Sequence, residues 1–258
     1  MIGMNQLNET KELNGPKLVN APLPPDRPIL VLEAACAYGS VAVVQGTRCL
    51  AALEVPVGVG SGDGMLPAIV QVLADAQTDK DTLAAIVCGD GPGSFTSLRI
   101  AGALAKGLAH GLAIPLYAVP SLLLAAAALD GGASGELLVH ADALRGERYL
   151  QRVERESGGN VLPLSPVVRL SAGELSALGP ALMRVAILEC PAELAGGPVV
   201  LPDAGRLALV QGSWREAPVH LASWEPDYGR LAEAQVKWEL VHGRQLPVSA
   251  PLTVPVSA

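Results

Sequence analysis

Along the first half of the chain, apolar residues fall in short unbroken runs punctuated by Gly, Pro and Asp. PILVLEA (28–34) predicts a strand buried on both faces, and YGSVAVVQG (38–46) and TRCLAALEV (47–55) predict two more. A short loop and then a tight Gly-containing turn join these three, which is the pattern of an antiparallel meander. After the glycine-rich stretch VGVGSGDG (57–64) the period changes. In MLPAIVQVLADAQ (65–77), Leu66, Ile69, Val72, Leu73 and Ala76 share one helical face. LAAIVCGDG (83–91) reads as a strand running into a Gly-Pro turn, and residues 94–112 read as a long helix. A short strand over 114–119 follows, with a new helix opening at Pro120-Ser121.

Antiparallel strands followed by helix, strand, helix and strand give the element order of an RNase H-like lobe. The second half repeats the theme more weakly. ELLVHADA (136–143), ERYLQRVER (147–155) and VVRL (167–170) read as successive strands, with helical stretches at 171–178 and 205–212 and a strand at 185–190. The pattern therefore predicts an α/β protein of two RNase H-like lobes, over residues 28–119 and 120–237. A mobile leader (1–27) precedes them and a Pro-rich tail (238–258) follows, extended from Gln245.

Composition adds a question. Hydrophobic residues make up 50% of the chain and aromatics 3%, so the core is built from Ala, Val and Leu. Charged residues reach 17%, against about 25% in an average domain. That surplus of apolar surface calls for a membrane or a partner. Residues 107–129 lack Lys, Arg, Asp and Glu and are long enough to cross a bilayer. Pro115 and Pro120 interrupt the run and no basic cluster flanks it, so buried α/β segments account for it better. Residues 1–27 are polar and carry no apolar signal-peptide core. Cys36, Cys49, Cys88 and Cys190 show no C-x-x-C spacing, which suits buried free thiols in a reducing cytoplasm. With 18 basic and 25 acidic residues the net charge is −7. Such a chain is a poor candidate for gripping phosphates on its own.

The most informative segment is GDGPGSFTSLRIAGALAKGLAHGL (89–112). Gly91, Gly93 and Ser94 sit between a strand and a helix N-terminus, where backbone amides can form an anion nest, and Ser94 or Thr96 can cap the helix. The generic signal is weak. There is no Walker-type Lys, Thr96 occupies the last place of G-x-G-x-x-G, and no nucleophile elbow forms around Ser94. A tight turn with a helix cap explains the loop equally well. In the helix, Ala101, Ala105 and Ala109 recur every four residues beside Gly102, Ala103, Gly107 and Gly111. Each interior Gly costs about 1 kcal/mol relative to Ala, so close packing is expected there, on the lobe's own sheet or on a partner helix. The histidines (110, 140, 220, 242) show no i, i+4 pair, so no metal site is expected.

G-P-G-S-F-T, followed by Arg99-Ile100 and a small-residue helix, resembles the signature of the TsaB (YeaZ) family of bacterial tRNA threonylcarbamoyladenosine biosynthesis proteins. The likeness extends over residues 28–237. LVLEAACAYGSVAVVQG is similar to the family's opening hairpin, and MLPAIVQVL to its first helix. HADALRGERYLQRV resembles its Asp-Ala-Arg-x-x-Glu-x-Tyr hairpin through Asp142, Ala143, Arg145, Glu147 and Tyr149. EPDYGR resembles its late Pro-x-Tyr-x-Arg element through Pro226, Tyr228 and Arg230. The resemblance implies an actin-like ATPase/sugar-kinase fold and a non-catalytic relative of TsaD, the threonylcarbamoyl transferase. It implies pairing with TsaD through helices of the first lobe, with the ATPase TsaE joining and tRNA met only through the complex. It also implies a homodimer through the same face when TsaD is absent.

On that reading, the expected partner interface is Leu66, Ile69, Leu73, Leu98, Ala101, Gly102, Ala105 and Ala109. No resident cofactor is expected, with ADP or ATP at a shared complex interface the remaining option. The sequence also departs from the family pattern. Glu33, followed by Ala34 and Ala35, stands where the first strand usually ends in Asp, and Ser97 replaces a Gly. These changes argue against hydrolysis and leave helix pairing untouched. The competing reading is an active ATPase or phosphotransferase using Glu33 and the Gly91–Ser94 loop. A peptidase is unsupported, because no Ser/His/Asp or metal constellation is present.

Overall fold

The computed structural model describes residues 21–24, 26–57, 64–131, 133–143, 145–178, 183–187, 196–229, 241 and 243. In the first sheet, β1 (Ile29–Glu33), β2 (Tyr38–Gln45) and β3 (Arg48–Pro56) form the antiparallel meander, with Gly46 at φ +60° in the β2–β3 turn. Next come helix α1 (Met65–Asp75), β4 (Ala85–Gly89), α2 (Phe95–Leu112) and β5 (Leu116–Val119). Strands β4 and β5 run parallel to β1, giving the order β3-β2-β1-β4-β5.

Helix α3 (Ser121–Ala127) then leads into the second sheet. That sheet contains β6 (Gly135–Asp142), β7 (Glu147–Arg155), β8 (Val161–Pro163), β9 (Val168–Ser171), β10 (Met183–Ile187) and β11 (Val199–Val200), with the six-residue helix α4 (Ala172–Ala177) after β9. Its order is β11-β10-β6-β7-β8, with β9 also paired to β7. The expected α/β architecture of two sheet-based lobes is present.

The central strands of the first sheet read as continuous apolar runs because both faces are covered. Leu30, Leu32, Val41, Val43 and Ile86 face α1 and α2. Ile29, Val31, Ala42, Val44 and Val87 face the other way, towards α3 and the inner face of the second sheet, where Leu137, Val139, Val153 and Val185 lie. Every residue of α3 is buried. A helix apolar all round its circumference belongs inside a structure; α3 is the wholly internal part of the uncharged 107–129 run, while Gly107, His110, Gly111 and Ala113 at the end of α2 are exposed. No helix among the described residues is long and apolar enough to cross a membrane.

Four expectations need correction. The leader is packed at its C-terminal end: Leu23 is buried, its amide donates to the Arg215 carbonyl (2.7 Å), and Tyr117 Oη donates to the Ala21 carbonyl (2.7 Å). The stretch 205–212 forms a short 3-10 helix, Ala204–Leu209, rather than an α-helix, begun by Asp203, whose carboxylate accepts from the Gly205 amide (2.8 Å). Of the described cysteines only Cys88 is buried; Cys49 is exposed on the edge strand β3 and Cys36 half-buried, while Cys190 lies outside the described residues. Ser94 occupies the N-cap of α2 without a side-chain cap bond, its hydroxyl instead accepting from Ser97 Oγ (3.0 Å). Apart from residues 241 and 243, the tail lies outside the described residues.

Candidate functional site

The Gly91–Ser94 loop leaves the C-terminal end of β4, beside the end of β1 and the start of α3. Close approach explains its composition. A Cβ on Gly89 would overlap the Glu33 carboxylate, one on Gly93 would overlap the Ala35 carbonyl, and Gly91 (φ +89°) lies against the Asp227 carbonyl. Two of the loop amides expected to bind an anion, those of Gly91 and Ser94, are already engaged. The Gly91 amide donates to Ser121 Oγ (3.1 Å) and the Ser94 amide to the Ala35 carbonyl (2.7 Å). The turn reading therefore describes Gly91 and Ser94 better than the anion-nest reading.

Glu33 is fully buried. The Ala35 amide donates to its Oε1 (2.6 Å) and Ser121 Oγ to its Oε2 (2.8 Å). Burial pushes its carboxyl up to about 7, with nearby Asp90 adding to the rise, while these hydrogen bonds hold it down. The side chain ties β1 to the first residue of α3 and presents no oxygen to a solvent-borne ligand. Asp90, next to the loop, is pushed up to about 6, again mainly by burial, although the Trp224 indole donates to its Oδ1 (3.2 Å).

The two late motifs converge on this loop. Tyr149 Oη donates to the Tyr228 carbonyl (3.4 Å), and Gly229 (φ +67°) has no room for a Cβ against the Tyr149 ring. The Tyr228 ring lies 4.5 Å from Phe95, and Pro226 would sit 3.0 Å from a Cβ on Gly102. Asp142 pairs with Arg148 (3.6 Å) and Glu147 with Arg169 (3.3 Å), so these acids hold structural cations. Arg145, at φ +55°, is exposed in the β6–β7 turn, and Arg230 lies outside the described residues. No group of three or more His, Cys, Asp or Glu among the described residues is arranged to hold a metal ion.

The expected partner residues divide sharply. Leu66 is 49% exposed and Leu73 half-buried, but Ile69, Leu98, Ala101, Gly102, Ala105 and Ala109 are all buried within this chain. The alanines every four residues let α2 lie close on β1, β4 and β5, and Gly102 faces the 224–226 segment. Small residues were the right signal for close packing, and most of that packing is internal. The outward surface is different: Val70 (63% exposed) and Leu66 on α1, and Ala103, Gly107 and Gly111 on α2, with Ile100, Leu104 and Leu108 half-buried beside them. Val70, one helical turn beyond Leu66, was legible from the i, i+4 spacing. Asp90 was legible as the loop's neighbour in the 89–112 segment, whereas Trp224 carried no motif that would have placed it there.

Fold and loop together define a two-lobed α/β protein whose signature turn is closed over by its own chain. Among solved structures it is similar to YeaZ from Pseudomonas aeruginosa (TM-score 0.59, 22% identity, covering 75% of this chain and 99% of that one). A second structure, of an uncharacterized Pseudomonas aeruginosa protein described as similar to peptidase YeaZ, gives a TM-score of 0.65 at 23% identity, covering 79% of this chain and 100% of that one. The profile of the TsaD family, described as tRNA N6-adenosine threonylcarbamoyltransferase, matches residues 63–162. TsaB of Bacillus subtilis, a tRNA threonylcarbamoyladenosine biosynthesis protein, is 31% identical over 191 residues, covering 67% of this chain and 81% of its own length. An uncharacterized protein of Mycobacterium tuberculosis is 35% identical over 177 residues, covering 66% of this chain and 75% of its own. The chain belongs to the TsaB family.

Proposed function

We propose that this chain is a non-catalytic, cytoplasmic subunit of the machinery that makes tRNA N6-threonylcarbamoyladenosine, binding and activating a TsaD-type threonylcarbamoyltransferase, with TsaE joining the assembly. Family membership supports the pathway. The observation that carries the mode of action is the outer face of α1 and α2, two helices covering the same face of the first sheet. It displays Leu66 and Val70 at 49% and 63% exposure and bare backbone at Gly107 and Gly111, where a Cβ would meet nothing within 4 Å. Exposed apolar side chains of this kind mark interaction sites, and bare glycines allow another helix to approach closely. Six of the residues expected there from sequence serve the internal core, so the proposed interface is moved outward to Leu66, Val70, Leu73, Ile100, Ala103, Leu104, Gly107 and Leu108.

The non-catalytic reading is supported by Glu33, whose carboxylate is consumed by Ala35 and Ser121, and by the engaged amides of Gly91 and Ser94. The test is co-purification with TsaD and TsaE of the same organism, with and without ATP. Leu66→Arg combined with Val70→Arg should abolish TsaD co-elution while leaving the circular dichroism spectrum and Tm of the isolated chain unchanged. Undiminished co-elution rejects this face. Magnesium-dependent ATP turnover by the isolated chain, lost in Glu33→Ala, would reject the non-catalytic assignment.

A further inference from the structure

Three carboxylates meet around the signature loop from three different parts of the chain: Glu33 at the end of β1, Asp90 after β4, and Asp227 in the segment that closes over the loop. None of them forms an ion pair among the described residues. The nearby cations are used elsewhere, since Lys106 Nζ donates to the Trp224 carbonyl (2.8 Å) and Arg99 lies over the Phe95 ring (4.9 Å). Trp224–Gly229 has no regular secondary structure; besides the Lys106 bond, the Trp224 amide donates to the His220 carbonyl (2.9 Å) and the Tyr228 ring lies 4.5 Å from Phe95. The Asp227 amide donates to the Asp90 carbonyl (2.7 Å), the Trp224 indole donates to Asp90 Oδ1 (3.2 Å), and Tyr149 Oη donates to the Tyr228 carbonyl (3.4 Å).

We propose that Trp224–Gly229 is a releasable strap tying β7 of the second lobe to the signature loop and α2 of the first, with Asp90 as its release group. The strap closes over the uncharged carboxylic acid and loosens when Asp90 ionises. Closure takes Asp90 largely out of water and sets the Asp227 carboxylate near it, and both effects penalise its charge, while the Trp224 indole and the Asp227 amide compensate only in part. The other groups facing Asp90 give no relief: Cys88 from β4 and Glu33 from β1 are acids, and Ser121 from α3 is neutral. Under the strap the Asp90 carboxyl rises from 3.8 to about 6, and opening returns it towards its ordinary value. The closing constant should therefore fall by up to roughly a hundredfold between pH 4 and pH 7, because it changes by the same factor as the acid strength of Asp90 between the open and closed forms. Opening would uncover Gly91, Phe95 and the Gly102 side of α2.

Hydrogen exchange of the Asp227 amide in the full chain, corrected for intrinsic rates, reads this equilibrium directly. Its protection should drop at least tenfold from pH 4.5 to 7.5, beyond any change at the Val87 amide in the sheet interior. The drop should vanish in Asp90→Asn and shrink in Asp227→Asn, which can keep the bond to the Gly229 amide. Glu33→Gln should leave most of it in place. Flat protection in the native sequence overturns the proposal, and so does an unchanged drop in Asp90→Asn. If Asp90→Asn fails to fold, the comparison rests on Asp227→Asn, where a drop of undiminished size is the overturning result.

Discussion

Glu33 shows how one extra methylene alters what a strand end can do. A shorter Asp at this position would end nearer its own strand, whereas Glu33 reaches Ser121 at the mouth of α3 and becomes an inter-element strut. Its burial has a thermodynamic signature. The carboxyl stands at 4.5 when unperturbed and at about 7 in the folded chain. Between those values the folded state holds a proton that the unfolded state has lost. Stability should therefore decline as pH rises from 4.5 to 7, by about 3 kcal/mol from this group alone. Glu33→Gln, which keeps the shape and removes the titration, should flatten that part of the pH–stability profile in urea unfolding and make the variant the more stable chain at pH 8. A parallel decline in the variant would assign the pH dependence to other acids.

At the scale of elements, α2 has two unlike sides made from the same small residues. The Ala101, Ala105, Ala109 side is internal; Ala105 is fully buried, and an arginine there would bring both overpacking and an unpaired charge into the core. The Gly107 side is bare. Gly107→Ala should stabilise the isolated chain by about 1 kcal/mol, the helix-propensity difference, read as a rise in Tm. If that surface seats a partner helix, the same change should weaken TsaD pairing, since a methyl would occupy the approach. Helix, strand and turn types in the first lobe were legible because their periods are clean and Gly46 and Gly91 mark the turns. The second lobe was less so. Strands β8 and β11 are three and two residues long, too short for any alternation to register. The helical stretch expected at 171–178 is α4, opened by a capping box between Ser171 and Glu174. Which side of α2 faces inward was not legible, because alanine and glycine give almost no amphipathic contrast. The closure of 224–229 over the loop was hidden for another reason: Asp90 and Trp224 lie 134 positions apart, and no local pattern encodes that meeting.

At the scale of the whole molecule, one apolar cluster runs from the first sheet through α3 to the second. Lobes that share a core cannot melt independently, so thermal unfolding should be a single transition by calorimetry and by both near- and far-UV dichroism. Leu123→Ala, in the fully buried α3, should lower stability by about 2–5 kcal/mol and move that one transition as a whole. Two resolved transitions would mean that the sheets are separate cooperative units. The surplus of apolar residues is thereby divided between this shared interior and the outer face of α1 and α2. The placement of α3 also limits how the gene can be dissected. A fragment stopping at Val119 would leave the inner face of the first sheet bare, and one starting at Pro120 would carry a seven-residue greasy plug with half its socket missing. Neither half is a usable reagent for mapping partners, and split reporters or tags belong in the β6–β7 turn around exposed Arg145 rather than at the seam between the lobes.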